Sequence, residues 1–218
     1  MSTFLDLCQQ TRQEAGFTGN GPTTVINQQG QYAKIVSWVN RAYLETLTYR
    51  QDWDFMWAAT TFNTVAAQGV YDLTVNSTHW GQAAIFETAL GKTDQAPIDH
   101  MIYRDFYSAF LIGSPESGRP TTFTIRPDGE LLLYPVPDKV YTFSADYYKQ
   151  ALPMVNNTDV PLIPVQYHSV ILYKALAHCT ANTEDFSTYQ YAERQFDIMV
   201  NKMERDQLPA YRTAGPLA

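Results

Sequence analysis

Between Pro164 and Cys179 the chain reads PVQYHSVILYKALAHC, a stretch in which Lys174 is the only charged residue. At the helical period its apolar positions, Val165, Tyr167, Val170, Ile171, Leu172, Tyr173, Ala175, Leu176, Ala177 and Cys179, occupy nearly the whole circumference. A helix apolar on most sides must be covered on most sides. The stretch is interrupted by Gln166, His168 and Ser169 and is shorter than the ~20 mostly apolar residues that cross a bilayer, so it reads as the central helix of a core. Pro164 suits the first helical position, and Asn182 offers a cap for the next helix. That helix runs from about Thr183 to Gln207, with Tyr189, Ala192, Phe196, Met199 and Met203 at alternating spacings of three and four, the pattern of a seam against a neighbouring helix. The two helices are expected to pair antiparallel. Glu184, Asp185, Glu193, Arg194, Asp197, Lys202, Glu204, Arg205 and Asp206 keep the other face in solvent.

At the start of the chain, Thr3 to about Ala15 reads as a helix, with Thr3 and Asp6 in capping-box relation, Phe4, Leu7, Cys8, Thr11 and Ala15 on one side and Gly16 at its end. The segment FTGNGPTTVINQQG reads as a loop. From Gln31 to about Gln51 the spacing of Tyr32, Ile35, Val36, Val39, Tyr43 and Leu47 predicts a second amphipathic helix. These two helices are the candidate cover for the central helix, which joins the two ends of the chain in one helical domain.

In the middle the period changes to two. Trp57 to Asn63 and Val70 to Leu73 read as a strand pair around Gln68-Gly69, and Ala84 to Leu90 with Ala96 to Ile98 as a second pair. Asp99 is placed to cap a short helix through Phe110 whose inner face is Ile102, Phe106 and Phe110. Thr121 to Arg126 meets Glu130 to Tyr134 across the tight turn Pro127-Asp128-Gly129, and Tyr141, Phe143, Ala145 and Tyr147 alternate with polar residues, which predicts a three-stranded meander. The fold class is therefore α+β: a helical bundle made from N-terminal and C-terminal helix pairs, with an inserted antiparallel β-rich block. The expected boundaries are residues 1–54 for the N-terminal helices, 55–150 for the block, 163–207 for the C-terminal helix pair and 208–218 for a terminal arm.

Composition narrows the function. A hydrophobic share of 45% supplies a core and argues against disorder, and a formal charge of −7 argues against a protein that grips nucleic acid through its phosphates. Cys8 and Cys179 are too few and too separated for a disulfide framework or a zinc site. The N-terminus has no basic leader followed by an apolar run, so neither a signal peptide nor a membrane anchor is expected. No glycine-rich phosphate loop occurs, and His79, His100, His168 and His178 are too dispersed for a metal cage. His168 is expected in the core with its nitrogens satisfied, and Ser169 lacks the setting of a nucleophile elbow. The carboxylate pairs Glu184 with Asp185 and Asp94 with Asp99 are the only ones a glycosidase reading could use; helix-end and capping roles suit them better. Tyr147, Tyr148, Trp57 and Trp80 could stack on sugars, although strand aromatics are more often core. No catalytic residue, cofactor or metal is expected. The residues alone lead to an α+β protein with more apolar helix surface than 218 residues obviously cover.

The order of parts goes further. The opening TFLDLCQQTRQEAG, the segment YAKIVSWVNRAYLETLTYRQDWDFMW, the hairpin GRPTTFTIRPDGELLLYPVPD, and the helices IPVQYHSVILYKALA and YQYAERQFDIMVNKM resemble the head-to-tail adaptor, or head-completion, proteins of tailed bacteriophages over nearly the full chain. The resemblance implies a structural virion protein rather than an enzyme. It would form a homo-oligomeric ring, usually of twelve copies, docked beneath the portal protein in the head–tail connector, assembled in the host cytoplasm, and offering a platform to tail, nozzle or tail-fibre proteins. DNA would slide through such a ring without specific binding, which an acidic wall favours. A central helix apolar on all sides would suit packing between subunits, with Leu172, Leu176, Tyr189, Phe196, Met199 and Met203 as candidate packing residues. The arm LPAYRTAGPLA is broken by Pro209, Gly215 and Pro216; the resemblance implies that it reaches the portal, with Leu208, Tyr211, Arg212 and Leu217 as candidate contacts. Two readings from other classes stay open: a virion-associated peptidoglycan hydrolase, and a carbohydrate-binding tail or fibre module.

Overall fold

Helix α1 (Phe4–Glu14) opens on a complete capping box, in which the Thr3 N–H donates to Asp6 Oδ2 at 2.9 Å and the Asp6 N–H donates to Thr3 Oγ1 at 3.2 Å. Gly16 follows its end at φ +69°, the left-handed conformation that a Cβ disfavours. The computed structural model describes residues 2–73, 75–183 and 185–208, and the chain divides into two units: Met1–Met56 with Ala151–Ala218, and Trp57–Gln150.

In the first unit α2 (Gly30–Thr48) turns Ile35, Val39, Ala42, Tyr43, Thr46 and Leu47 inward. Pro164 precedes a single 3₁₀ turn, Val165–Tyr167, rather than opening the α-helix itself; α4 (His168–Thr183) starts after that turn. The cap of α5 (Phe186–Gln207) is Asp185, which accepts the Thr188 N–H at 3.2 Å. Asn182, expected as that cap, lies within α4. The aspartate wins because it directly precedes the helix and its oxygen reaches the third helical N–H.

Helix α4 packs against α1, α2 and α5. Val170, Ile171 and Ala175 are completely buried, and burial of the valine and isoleucine side chains is worth ~1.5–3 kcal/mol each relative to exposure. Most of the apolar circumference of the central helix is thus covered by its own chain, with Leu172 and Tyr173 left half-buried. The loop after residue 150 is tied down by side chains. Asn40 donates to the Met154 carbonyl at 2.8 Å and accepts the Met154 N–H at 3.0 Å, while the Tyr43 hydroxyl accepts the Leu162 N–H at 3.2 Å. Asn157 Oδ1 accepts from the Val25 N–H at 2.7 Å, and the Asp159 carbonyl accepts from the Phe4 N–H at 2.8 Å, satisfying one of the helix-start donors of α1.

The second unit contains β1 (Trp57–Asn63), β2 (Val70–Asp72), β3 (Ser77–Glu87), β4 (Ala96–Pro97), β5 (Asp99–His100), α3 (Tyr103–Phe106), β6 (Ser117–Gly118), β7 (Thr122–Ile125), β8 (Glu130–Tyr134), β9 (Val136–Pro137) and β10 (Tyr141–Lys149). They form two four-stranded sheets, ordered β1-β10-β3-β4 and β2-β8-β7-β5, and a short β6-β9 pair. Ile85, Tyr141, Phe143 and Ala145 of the first sheet meet Tyr71, Phe123, Leu131 and Leu133 of the second in one core, the arrangement of a sandwich.

The hairpin β7–β8 forms as its turn residues predict, with Gly129 at φ +96° and Arg126 donating to the Glu130 carbonyl at 2.8 Å. Three expectations are corrected. β1 and β2 do not pair; β1 lies on β10, and β2 on β8. β10 does not extend the hairpin into a meander but crosses to the other sheet, between β1 and β3. Pro135 and Pro137 intervene without the N–H that a continuing ladder would use. Asp99 is not a cap, since it sits in β5, paired parallel with Thr122 of β7, and Ile102 precedes α3. Ile102 is exposed while Phe106 is buried, and a π-turn, Tyr107–Leu111, carries α3 on to its end before Gly113. The block is antiparallel except for the short parallel pairs β5–β7 and β6–β9.

Candidate assembly surfaces

The α4–α5 pair is built from the inside outward. Ala192, Phe196, Val200 and Met203 form the buried face of α5, at spacings of four, four and three. The seam read from the sequence includes three of these and replaces Val200 with its neighbour Met199, which is half-buried; at 3.6 residues per turn a stripe drifts, and the position facing the partner shifts by one. Tyr189 and Leu172 are half-buried, and Leu176 is buried against Ala177 and Ala192. Lys174 of α4 pairs with Glu193 at 3.0 Å and lies 4.7 Å above the Phe196 ring, which also receives the edge of Tyr49.

Polar groups lock the rest of this unit. Glu204 accepts Arg50 at 2.8 Å, and the Tyr167 hydroxyl donates to Asp206. His178 donates through Nε2 to Glu45 at 2.9 Å; burial holds the imidazole below its ordinary pKa against the pull of that carboxylate. For Glu45 burial acts upward, yet hydrogen bonds from Arg41 and His178 leave its pKa lowered. His168 is buried with Nε2 2.9 Å from the Ile163 carbonyl, but its Nδ1 has no hydrogen-bond partner among the described residues; burial lowers its pKa too. Burial pushes the Cys8 thiol up to about 12 and that of Cys179 to about 11, which makes both poor nucleophiles at neutral pH.

One member of each carboxylate pair, Asp94 and Asp185, takes a structural position. Asp94 accepts the Glu87 N–H at 3.0 Å and Arg119 at 3.1 Å, which holds its pKa low, and Asp185 caps α5. Glu184 lies outside the described residues. Trp80 and Tyr147 pack into the sheet core and His79 stacks on Tyr148, whereas Trp57 faces outward. Among the described residues no group of three or more His, Cys, Asp or Glu is placed to hold a metal ion, and no helix is long and apolar enough to cross a membrane.

In the sheet unit the segment around α3 exposes Ile102, Tyr107, Leu111 and Ile112, yet is fixed from beneath by buried Phe106 and by Phe110 stacked on Tyr134 with centroids 4.1 Å apart. β1 is a seven-residue outer strand without Lys, Glu or Pro, the residues that commonly block a free edge. In the helical unit Leu152, Val155, Val160 and Val165 are exposed along the loop before α4, and Tyr191 and Ile198 on α5. Of the arm, Leu208 is half-buried in a bend after α5; Tyr211, Arg212 and Leu217 lie outside the described residues. Sequence patterning did not single out Tyr191, Ile198 or the apolar α3 segment as surfaces, because spacing alone does not tell an outward apolar residue from a core one.

Thiols of raised pKa and apolar side chains displayed on ordered elements suit a protein that works through contact. A family model of the SU10 adaptor protein matches residues 2–218, and the chain belongs to that family. It is a bacteriophage adaptor protein, a virion component that interacts with other head or tail proteins, and the family's name points to a structural role rather than a catalytic one. The resemblance seen in the sequence is thereby borne out. No curated protein matches the chain.

Proposed function

We propose that the chain forms a closed ring, on the order of twelve copies by analogy with phage adaptors, between the portal vertex and the tail, where it extends the DNA channel and carries the tail attachment platform. The observation that carries this reading is the match to an adaptor family over residues 2–218. The ordered apolar surfaces of both units support it, because isolated proteins seldom hold such side chains on anchored elements without a partner. The block from Trp57 to Gln150 contacts neighbouring subunits or the next tail component through the α3 segment and the edge of β1. The arm from Leu208 to Ala218 docks on the portal, with Tyr211 as anchor, Arg212 paired to a portal carboxylate, and Leu208 and Leu217 filling pockets. The ring assembles on the portal in the host cytoplasm, and DNA passes through it without specific contacts.

Two deletions test this. Phage lacking the chain should accumulate DNA-filled heads without tails, and phage lacking only residues 208–218 should show the same defect while the purified protein melts at nearly the full-length temperature. Normal tailed particles from the first deletion would refute the adaptor role, and from the second the docking of the arm.

A further inference from the structure

Helix α5 carries two stripes of opposite character. The inner one, Ala192, Phe196, Val200 and Met203, is buried. Away from it Tyr191, Arg194, Ile198, Lys202 and Arg205 follow one another at spacings of three, four, four and three, a second seam of coiled-coil type. All five residues are exposed, Tyr191 at 53% and Ile198 at 51%.

The charges of the helix are unevenly distributed between the two sides, with Asp197 as an exposed acid that forms no ion pair among the described residues. Glu193, Glu204 and Asp206 turn to Lys174, Arg50 and Tyr167 of their own unit. Arg194, Lys202 and Arg205 form no ion pair among the described residues. An ordinary solvated helix face mixes both signs and exposes little large apolar surface. Here three unpaired cations frame an exposed tyrosine and isoleucine, on a chain whose formal charge is −7. Elsewhere the chain displays carboxylates without ion-pair partners, among them Asp54, Asp72, Asp99 and Asp105.

We infer that the outer stripe of α5 is the copy-to-copy contact: it seats against a carboxylate-bearing surface of a second copy of this chain. Acidic chains repel one another at most orientations, and a local basic stripe is what lets one orientation attract. A stripe that meets a different surface of the next copy makes a head-to-tail contact, which propagates from copy to copy instead of stopping at a dimer and forms a ring when its rotation closes. Ile198 near the middle of the stripe favours a protein partner over nucleic acid, since phosphate contact has no use for a large aliphatic group there.

This inference rests on the ring reading above, and the test separates the two. The residue-specific photo-crosslinker substitution Ile198→p-benzoylphenylalanine is introduced in the phage, assembled particles are irradiated, and adducts are identified by mass. An adduct of twice the 24.8 kDa chain supports the inference. The double variant Arg194→Glu with Arg205→Glu, both on exposed positions, should lower its yield at least tenfold. An adduct only to a different protein or to DNA, no adduct in particles that contain the chain, or a yield unchanged by the charge reversal would overturn the copy-to-copy contact and leave the adaptor role standing. Particles that lack the chain altogether would overturn the adaptor role itself.

Discussion

In the helical unit one element is central: α4 is covered by α1, α2 and α5, which come from both ends of the chain. The core of the sheet unit lies between two sheets, with β10 and β3 inside one and β8 and β7 inside the other, and the block starts and ends in neighbouring strands, with Trp57 opposite Tyr148. The helical unit therefore closes only when distant segments meet, whereas residues 57–150 form a self-contained insert whose termini are already side by side. One unit depends on long-range closure, the other on strand pairing within a single stretch.

This difference is sharpened first by core truncation. Phe123, completely buried in the sheet core, and Phe196, buried between Lys174 and Tyr49, should each cost ~3–5 kcal/mol on mutation to Ala, with Phe123→Ala the larger effect. If the units unfold separately, calorimetry will resolve two transitions, Phe123→Ala lowering one and Phe196→Ala the other. A single transition moved equally by both would erase the distinction.

Asn40→Ala comes next. It removes the side chain that satisfies both the N–H and the carbonyl of Met154, and leaving buried main-chain groups unpaired costs ~1–3 kcal/mol. Only the transition of the helical unit should move in thermal melts.

Acidification acts more gently and falls unequally. His168 and His178 of the helical unit and His100 of the sheet unit have pKa values below their ordinary 6.5 because burial disfavours the imidazolium. The unfolded chain then binds protons that the folded chain refuses. Their contribution is complete above pH 6.5 and is lost as pH falls from there through the lowered folded values. Melts between pH 7.5 and 5.5 should show the helical transition dropping further than the sheet transition, and an equal drop would contradict the assignment of two such histidines to one unit.

The smallest effect is at the first cap. Thr3→Ala removes the oxygen that accepts the Asp6 N–H and should lower stability by ~1 kcal/mol, read as a modest fall in the helical transition.

The same contrast explains what the sequence discloses. Helix periodicity is local, so α1 with its capping box, α2, and the α4–α5 pair are legible from spacing alone, and the apolar circumference of α4 announces a central position. Strand alternation names the inward side chains, such as Phe143 and Ala145, but not the neighbouring strand, which is why β10 reads as the third strand of a meander when it lies between β1 and β3. Of the surfaces, the charged face of α5 is visible in the sequence, but the turning of Glu193, Glu204 and Asp206 toward their own unit is not. That arrangement depends on Lys174, Arg50 and Tyr167, which lie on other segments of the chain.

The most direct measurement of the adaptor role is the mass and stoichiometry of the complex that holds this chain in infected cells, by native mass spectrometry of portal-containing assemblies. The ring reading predicts the portal protein together with a fixed multiple, on the order of twelve, of the 24.8 kDa chain. A complex without portal protein, or with a single copy of the chain, would contradict it.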